Sequence, residues 1–145
     1  MMVSTKGRYA LRVMIELAMS NTEAFIPLKQ IAENQEISEK YLEAIIKNLV
    51  REELVIGLRG KGGGYKLAKS PEQYTVADIL RVTEGSLAPV ACLERNAATC
   101  PRAERCATLS MWKKINTLVN DFFEGITLKE LADEHCGIEG NFYSI

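Results

Sequence analysis

Apolar residues change their spacing along this chain, and each change marks an element. Between residues 5 and 20, Tyr9, Ala10, Val13, Met14, Leu17 and Ala18 recur at intervals of three and four, which predicts a helix with one apolar stripe. Lys6, Arg8 and Arg12 put three positive charges near its start. Pro27 suits the first turn of a short second helix, with Leu28, Ile31 and Ala32 on its buried face. Asn34-Gln35-Glu36 reads as a polar turn. Ser38 then caps a third helix by accepting from its free backbone N–H groups. In that helix Leu42, Ile45, Ile46 and Leu49 form a clean amphipathic stripe, and Glu39, Lys40, Tyr41, Glu43, Ala44 and Lys47 lie opposite it.

The period shortens after residue 53. Leu54-Val55-Ile56 and Lys66-Leu67-Ala68 are β-prone runs on either side of a glycine-rich stretch, which predicts a hairpin with a long tip. Ser70-Pro71 ends it, and Thr75 with Asp78 has capping-box spacing for a fourth helix to Glu84. Residues 85–102, holding Pro89, Cys92, Cys100 and Pro101, are poor in helix signals. A long helix is predicted over 103–124. Leu109, Met111, Trp112, Ile115, Leu118, Val119, Phe122 and Phe123 spread over an arc of about 180° at 100° per residue, wider than the roughly 100° a surface helix needs. Such a helix is expected to pack on its own domain and on a second copy of the chain. Thr127 and Glu130 open one more short helix. Residues 138–145 follow Gly137 with little apolar periodicity, so a flexible tail is expected there.

Composition narrows the class. The chain has 145 residues, 47% hydrophobic and 26% charged, an ordinary globular balance. No apolar run approaches the roughly 18 residues of a membrane span, and the start lacks a secretory signal pattern, so a cytoplasmic protein is expected. Its four cysteines then point to metal, redox or core roles rather than disulfides. Net charge is −1, divided into +3 over residues 1–69 and −4 over residues 70–145, which hints at an anionic partner for the first half.

Two short helices joined by a tight turn and followed by a hairpin is the winged helix-turn-helix order. The fold expected is therefore mainly α with a small β-hairpin. The boundaries are a DNA-binding domain over 1–84, a cysteine-bearing sensor loop over 85–106, and a dimerisation helix with a C-terminal tail over 107–145. The third helix would enter the major groove, and the hairpin tip would bring Arg59, Gly60 and Lys61 to the DNA. A plain surface hairpin is the alternative. A phosphate-binding nucleotide loop is excluded, because it needs Gly-Lys-Ser/Thr leading into a helix.

Ser4-Thr5-Lys6-Gly7-Arg8-Tyr9-Ala10, Ile37-Ser38 with Tyr41-Leu42-Glu43, and Arg59-Gly60-Lys61-Gly62-Gly63-Gly64-Tyr65 closely resemble one family. It is the winged-helix transcription regulators that include the iron–sulfur regulator IscR, the cysteine-metabolism repressor CymR and the nitric-oxide sensor NsrR. The resemblance spans nearly the whole chain. It implies a homodimer crossed over through the long helix, bound to double-stranded DNA. The DNA-contacting set is then Lys6, Arg8, Ser38, Lys40, Tyr41, Glu43, Ala44, Lys47, Arg59, Gly60 and Lys61.

Cys92, Cys100 and Cys106 form Cys-x7-Cys-x5-Cys. Thiolates hold iron–sulfur clusters, and a loop of this length allows three sulfurs to face one cluster. Four-ligand zinc sites usually show a paired Cys-x2-4-Cys, absent here. On spacing alone, buried structural cysteines stay open as an alternative. Cluster-binding members of the resembled family carry three cysteines in this segment, which implies an iron–sulfur cluster, of [2Fe–2S] type, on Cys92, Cys100 and Cys106. The fourth ligand is undetermined. IscR-like members place a histidine where this chain has Leu109, and the nitric-oxide-sensing branch uses a partner's carboxylate where this chain has Arg8. Cys136, His135, Glu94 and a small exogenous thiol are the candidates. An enzyme is not expected: the adjacent His135 and Cys136 form no catalytic constellation.

Glu84-Gly85-Ser86-Leu87-Ala88-Pro89-Val90 and the ending Asn141-Phe142-Tyr143-Ser144-Ile145 look more like CymR than IscR. The tail resemblance implies docking of Tyr143 and Ile145 with a cysteine-synthesis enzyme, the terminal carboxylate acting as a substrate mimic. The functional expectation is a DNA-binding regulator, a repressor, of iron–sulfur or cysteine metabolism genes, controlled by the cluster. The alternatives are a cluster-free repressor controlled by a protein partner and a thiol-based redox sensor.

Overall fold

The computed structural model describes residues 2–20 and 23–143, with side chains through Ile138. Helices α1 (Thr5–Met19), α2 (Leu28–Gln35) and α3 (Glu39–Arg51) come first. Strands β1 (Val55–Leu58) and β2 (Gly64–Leu67) follow, then α4 (Val76–Glu84), α5 (Leu109–Glu124) and α6 (Leu128–Tyr143). The helix starts rest on the predicted chemistry. Ser38 Oγ accepts from Tyr41 N at 3.2 Å. Thr75 and Asp78 form a reciprocal box, Asp78 N donating to Thr75 Oγ1 at 3.1 Å and Thr75 N to Asp78 Oδ2 at 2.9 Å. Between α2 and α3 the turn is closed by Glu36 in the left-handed conformation, φ 56°.

One core joins the stripes of α1 and α3. Val13, Met14, Ile45 and Leu49 are fully buried there with Ile31 of α2 and Leu128 of α6. Tyr74 sits in the same core with 1% of its surface exposed. Its hydroxyl donates to Leu54 O at 2.7 Å and accepts from Lys69 N at 2.9 Å, which ties the foot of the hairpin to the helical layer. Burial pushes the Tyr74 phenol above its ordinary range. A second, smaller core gathers Val76, Ala77, Leu80 and Leu87, with Val119 and Phe123 of α5 packed against it.

β1 and β2 pair antiparallel from Val55–Leu67 to Leu58–Gly64. The sequence did not reveal a third partner. Ile26 bridges Tyr65, with N–H···O distances of 2.9 and 2.8 Å in the two directions, so the wing is bonded to the chain leading into α2.

Three expectations are corrected. The long helix begins at Leu109, not 103: residues 103–108 form a single 3-10 turn, Ala103–Arg105, and a short link. That stretch, Ala-Glu-Arg-Cys-Ala-Thr, contains no apolar stripe to bury. The helix opened by Thr127 is not short. It runs 16 residues, as long as α5. Glu130 N donates to Thr127 Oγ1 at 3.1 Å, Lys129 pairs with Asp133 at 2.6 Å, and the α6 face docks on α1. The tail after Gly137 is accordingly helical through Tyr143; the Tyr143 side chain and Ile145 lie outside the described residues.

No residue of α5 is fully buried. Met111, Ile115, Leu118 and Phe122 form one exposed apolar stripe, with Leu118 65% and Phe122 64% exposed. Among the described residues no helix is long and apolar enough to cross a membrane.

Candidate nucleic-acid interface and cysteine cavity

The exposed face of α3 carries Lys40, Glu43, Ala44 and Lys47, beside the hydroxyl of Ser38 at its cap. A cleft separates this face from the wing; Glu43, Lys47 and Val50 line one side, and Leu58, Arg59 and Gly60 the other. Arg59, Gly60 and Lys61 stand exposed at the tip. Arg8 is exposed in the first turn of α1, where its Nη2 donates to Thr5 Oγ1 at 3.1 Å, and Lys6 beside it is half-buried. The predicted set thus falls on the first turn of α1, the outer face of α3 and the wing tip.

What fixes α3 is a polar and aromatic brace from α1. Tyr41 meets Tyr9 edge-on with ring centroids 5.8 Å apart, and the Arg12 guanidinium lies 5.0 Å from the Tyr9 ring. Arg12 Nε donates to Gln35 Oε1 at 3.0 Å, and Glu16 accepts from Asn34 and Gln35 at 2.6 and 2.7 Å. The turn between α2 and α3 is therefore held from below while its outer side stays open. Tyr41 serves in this brace and is still 37% exposed. In the sequence Tyr9 is only a stripe member and Arg12 only a charge; their contacts, and those of Glu16, with Tyr41, Asn34 and Gln35 join segments far apart and leave no local pattern.

Cys92, Cys100 and Cys106 are free thiols, and all three line one cavity of about 250 Å³ that Leu109 and Lys113 close at the start of α5. Cys106 Sγ lies 3.5 Å from Thr108 Oγ1. This hydrogen bond, with a smaller contribution from the Arg102 charge, holds the Cys106 thiol below its ordinary range. Among the described residues no three His, Cys, Asp or Glu side chains stand close enough together to hold a metal ion in this conformation. The segment nevertheless suits a thiolate-bound group. Two single 3-10 turns are its regular structure, and most of its residues are exposed. Closing it requires no disruption of either core. The candidate fourth ligands separate: Glu94 is on the same loop, whereas His135 lines a different cavity with Arg12, Glu16 and Gln35, and Cys136 follows it on α6.

α5 is anchored on α4 by Arg81, whose Nη2 donates to Asn120 Oδ1 at 2.7 Å and Glu124 Oε1 at 2.6 Å. At the other end of the domain, Glu84 accepts from Ser4 Oγ at 2.6 Å, joining the end of α4 to the cap of α1.

A family model described as Rrf2, iron-dependent transcriptional regulator, matches residues 3–134. This chain belongs to the Rrf2 family. It is 40% identical over 132 residues to the HTH-type transcriptional regulator CymR of Bacillus subtilis, covering 91% of this chain and 90% of that one. It is 35% identical over 133 residues to IscR of Pectobacterium carotovorum, covering 92% and 80%. The solved structure of CymR, the global cysteine regulator of B. subtilis, superposes with TM-score 0.75 at 39% identity, covering 92% of this chain and 98% of that one. T. potens IscR superposes with TM-score 0.73 at 35% identity, covering 93% and 88%. The Rrf2 relatives are named as transcriptional regulators, not enzymes, and their winged-helix architecture is that of this chain: six helices and a two-stranded hairpin. The chain is a transcriptional regulator of this family.

Proposed function

We propose that this Rrf2 regulator binds operator DNA as a homodimer and is controlled by an iron–sulfur cluster, of [2Fe–2S] type, held by Cys92, Cys100 and Cys106. The observation that carries the reading is the cavity these three thiols share at the foot of α5. A cluster there would supply a centre sensitive to oxidants and to iron and sulfur supply. The chain's own residues do the rest. Drawing the three thiols together orders residues 92–106. Cys106 lies two residues before Thr108, the cap of α5, so that ordering fixes where α5 starts. Arg81 transmits the position of α5 to α4, and Glu84 carries that of α4 to the first turn of α1. With the partner seated on the Met111–Phe122 stripe, small shifts of α5 alter the separation of the two α3 helices. Dimeric readers need half-sites about one DNA turn, or a multiple of it, apart, so such shifts change affinity.

The cluster is tested on protein purified without oxygen, by visible absorption and by iron and sulfide analysis. Wild type is expected to be coloured, with iron and sulfide in equal amounts. Cys92→Ala, Cys100→Ala and Cys106→Ala should each be colourless with unchanged helical content, because none of the three lies in a core. A full cluster in Cys106→Ala contradicts the assignment.

At the DNA surface, Arg59 is assigned to the minor groove beneath the wing, where a narrow groove attracts arginine. Arg59→Ala should cost on the order of 1–3 kcal/mol and relax discrimination under the wing. Lys61→Ala should weaken all sequences alike and flatten the salt dependence. Titrations of matched and mismatched duplexes at several salt concentrations separate the two; wild-type binding by Arg59→Ala removes the wing from the mechanism.

A second reading is a cluster-free repressor of cysteine metabolism controlled by a protein partner. It is favoured by Leu109 and Arg8 at positions where cluster-binding branches would supply a ligand, and by the likeness to CymR. In that case Tyr143 and Ile145 would dock in a cysteine-synthesis enzyme. A colourless, iron-free wild-type preparation selects this reading or the thiol-based redox sensor.

A further inference from the structure

We propose that the polar cavity between α4, the cysteine-bearing loop and α5 binds a small organic carboxylate. The cavity, about 560 Å³, lies between Arg81, Ser86 and Leu87 on one side and Leu93, Arg95 and Asn116 on the other. This is the size of a metabolite site, and its lining pairs a short apolar wall with convergent donors. Among the described residues no Asp or Glu lines it.

The hydrogen bonds decide what the donors are free to do. Arg81 commits one terminal nitrogen, Nη2, to Asn120 and Glu124 on α5. That pins the guanidinium in place and leaves its other N–H groups available. Asn120 Nδ2 donates to the Asn116 carbonyl at 2.8 Å and to Asn116 Oδ1 at 3.1 Å. With Oδ1 occupied, Asn116 has its Nδ2 left to donate. Arg95 has no hydrogen bond or ion pair among the described residues. Two guanidinium groups, an amide N–H and the Ser86 hydroxyl thus converge on one space, and an anionic head between Arg95 and Asn116 would form charge-assisted hydrogen bonds. Leu87, 3% exposed, with Ala88 and Leu93 would receive a short apolar body. A carboxylate on a two- or three-carbon chain meets both requirements.

A second copy of the chain on α5 would not fill this space. At about 100° per residue, Asn116 and Asn120 project from the side of α5 away from Met111, Ile115, Leu118 and Phe122. Leu93 and Arg95 lie one and three residues after Cys92, so an anion bridging Arg95 to Asn116 would tie the cysteine-bearing loop to α5. The site would give the loop a second input beside the proposed cluster.

The experiment titrates the isotopically labelled full-length chain, without DNA, with butyrate and separately with inorganic phosphate, against sodium chloride at matched ionic strength. Amide shifts of Ser86, Arg95 and Asn116 report the site. Butyrate is expected to saturate these shifts. Arg95→Ala should weaken that binding at least tenfold, Arg95→Lys should weaken it less, and Asn116→Ala should reproduce the loss from the α5 side. The exposed position of Arg95 leaves the core undisturbed, which an unchanged spectrum elsewhere verifies. Tighter saturation by phosphate than by butyrate overturns the carboxylate assignment. Failure of both probes to saturate, or an equal response from Arg95→Ala, overturns the site.

Discussion

Gly64→Ala is expected to lose about 3 kcal/mol of stability, a fall of roughly 10 °C in Tm, and to unseat the wing. Gly64 has φ +153°, and a Cβ there would stand 2.2 Å from the Ile26 carbonyl oxygen and 2.7 Å from Pro27 N. These are backbone atoms, so no side-chain rotation relieves the overlap. The Ile26–Tyr65 bridge must open, which strands two backbone hydrogen bonds. Gly62 is the control. Its φ is +76°, but open space surrounds its Cβ position, so Gly62→Ala carries the left-handed cost of about 1–2 kcal/mol and leaves the bridge intact. Thermal melts rank the two variants, and a DNA titration should show the larger affinity loss in Gly64→Ala. Equal melts for the two contradict the close approach as the reason for glycine at 64.

The second large effect is expected on α5. Leu118→Asp combined with Phe122→Asp should give a folded monomer that loses at least a hundredfold in affinity for a two-half-site operator. Both side chains are more than 60% exposed within one chain, so their replacement costs little internal packing. Two carboxylates in an apolar seam would leave buried charges without partners. Sedimentation distinguishes monomer from dimer, and circular dichroism confirms the helices. A dimer that persists in this variant would move the subunit contact to another surface.

These expectations were not equally legible in the chain. α3 was readable from end to end because its cap at Ser38, its stripe and its exposed face are all local. The Thr75–Asp78 box was equally direct. The start of α5 was misplaced because residues 103–108 are compatible with a helix in composition but bury nothing. α6 was cut short for the opposite reason. Gly137 and Gly140 each cost about 1 kcal/mol in a helix, yet the helix continues through both, supported at its start by Leu128 in the main core and the Lys129–Asp133 pair. The candidate site divides the same way. The tip residues and the three cysteines were found by type and spacing. The wing's bond to Ile26, the Tyr9–Arg12–Glu16 brace and the link from Arg81 to α5 are single contacts between distant segments, and such contacts leave no period to read. At the base of the glycine-rich tip, Gly64 is required by the close backbone of Ile26, a contact no local pattern announces.

In the proposed mechanism, residues 92–106 control DNA binding through the placement of α5. The most direct measurement is the affinity of wild type and Cys106→Ala for one operator duplex, each measured without oxygen before and after treatment with an iron chelator and oxidant under constant salt. Wild type is predicted to change its affinity at least tenfold when the cluster is removed, with Cys106→Ala matching the stripped protein in both states. Identical affinities for wild type before and after removal would contradict the claim.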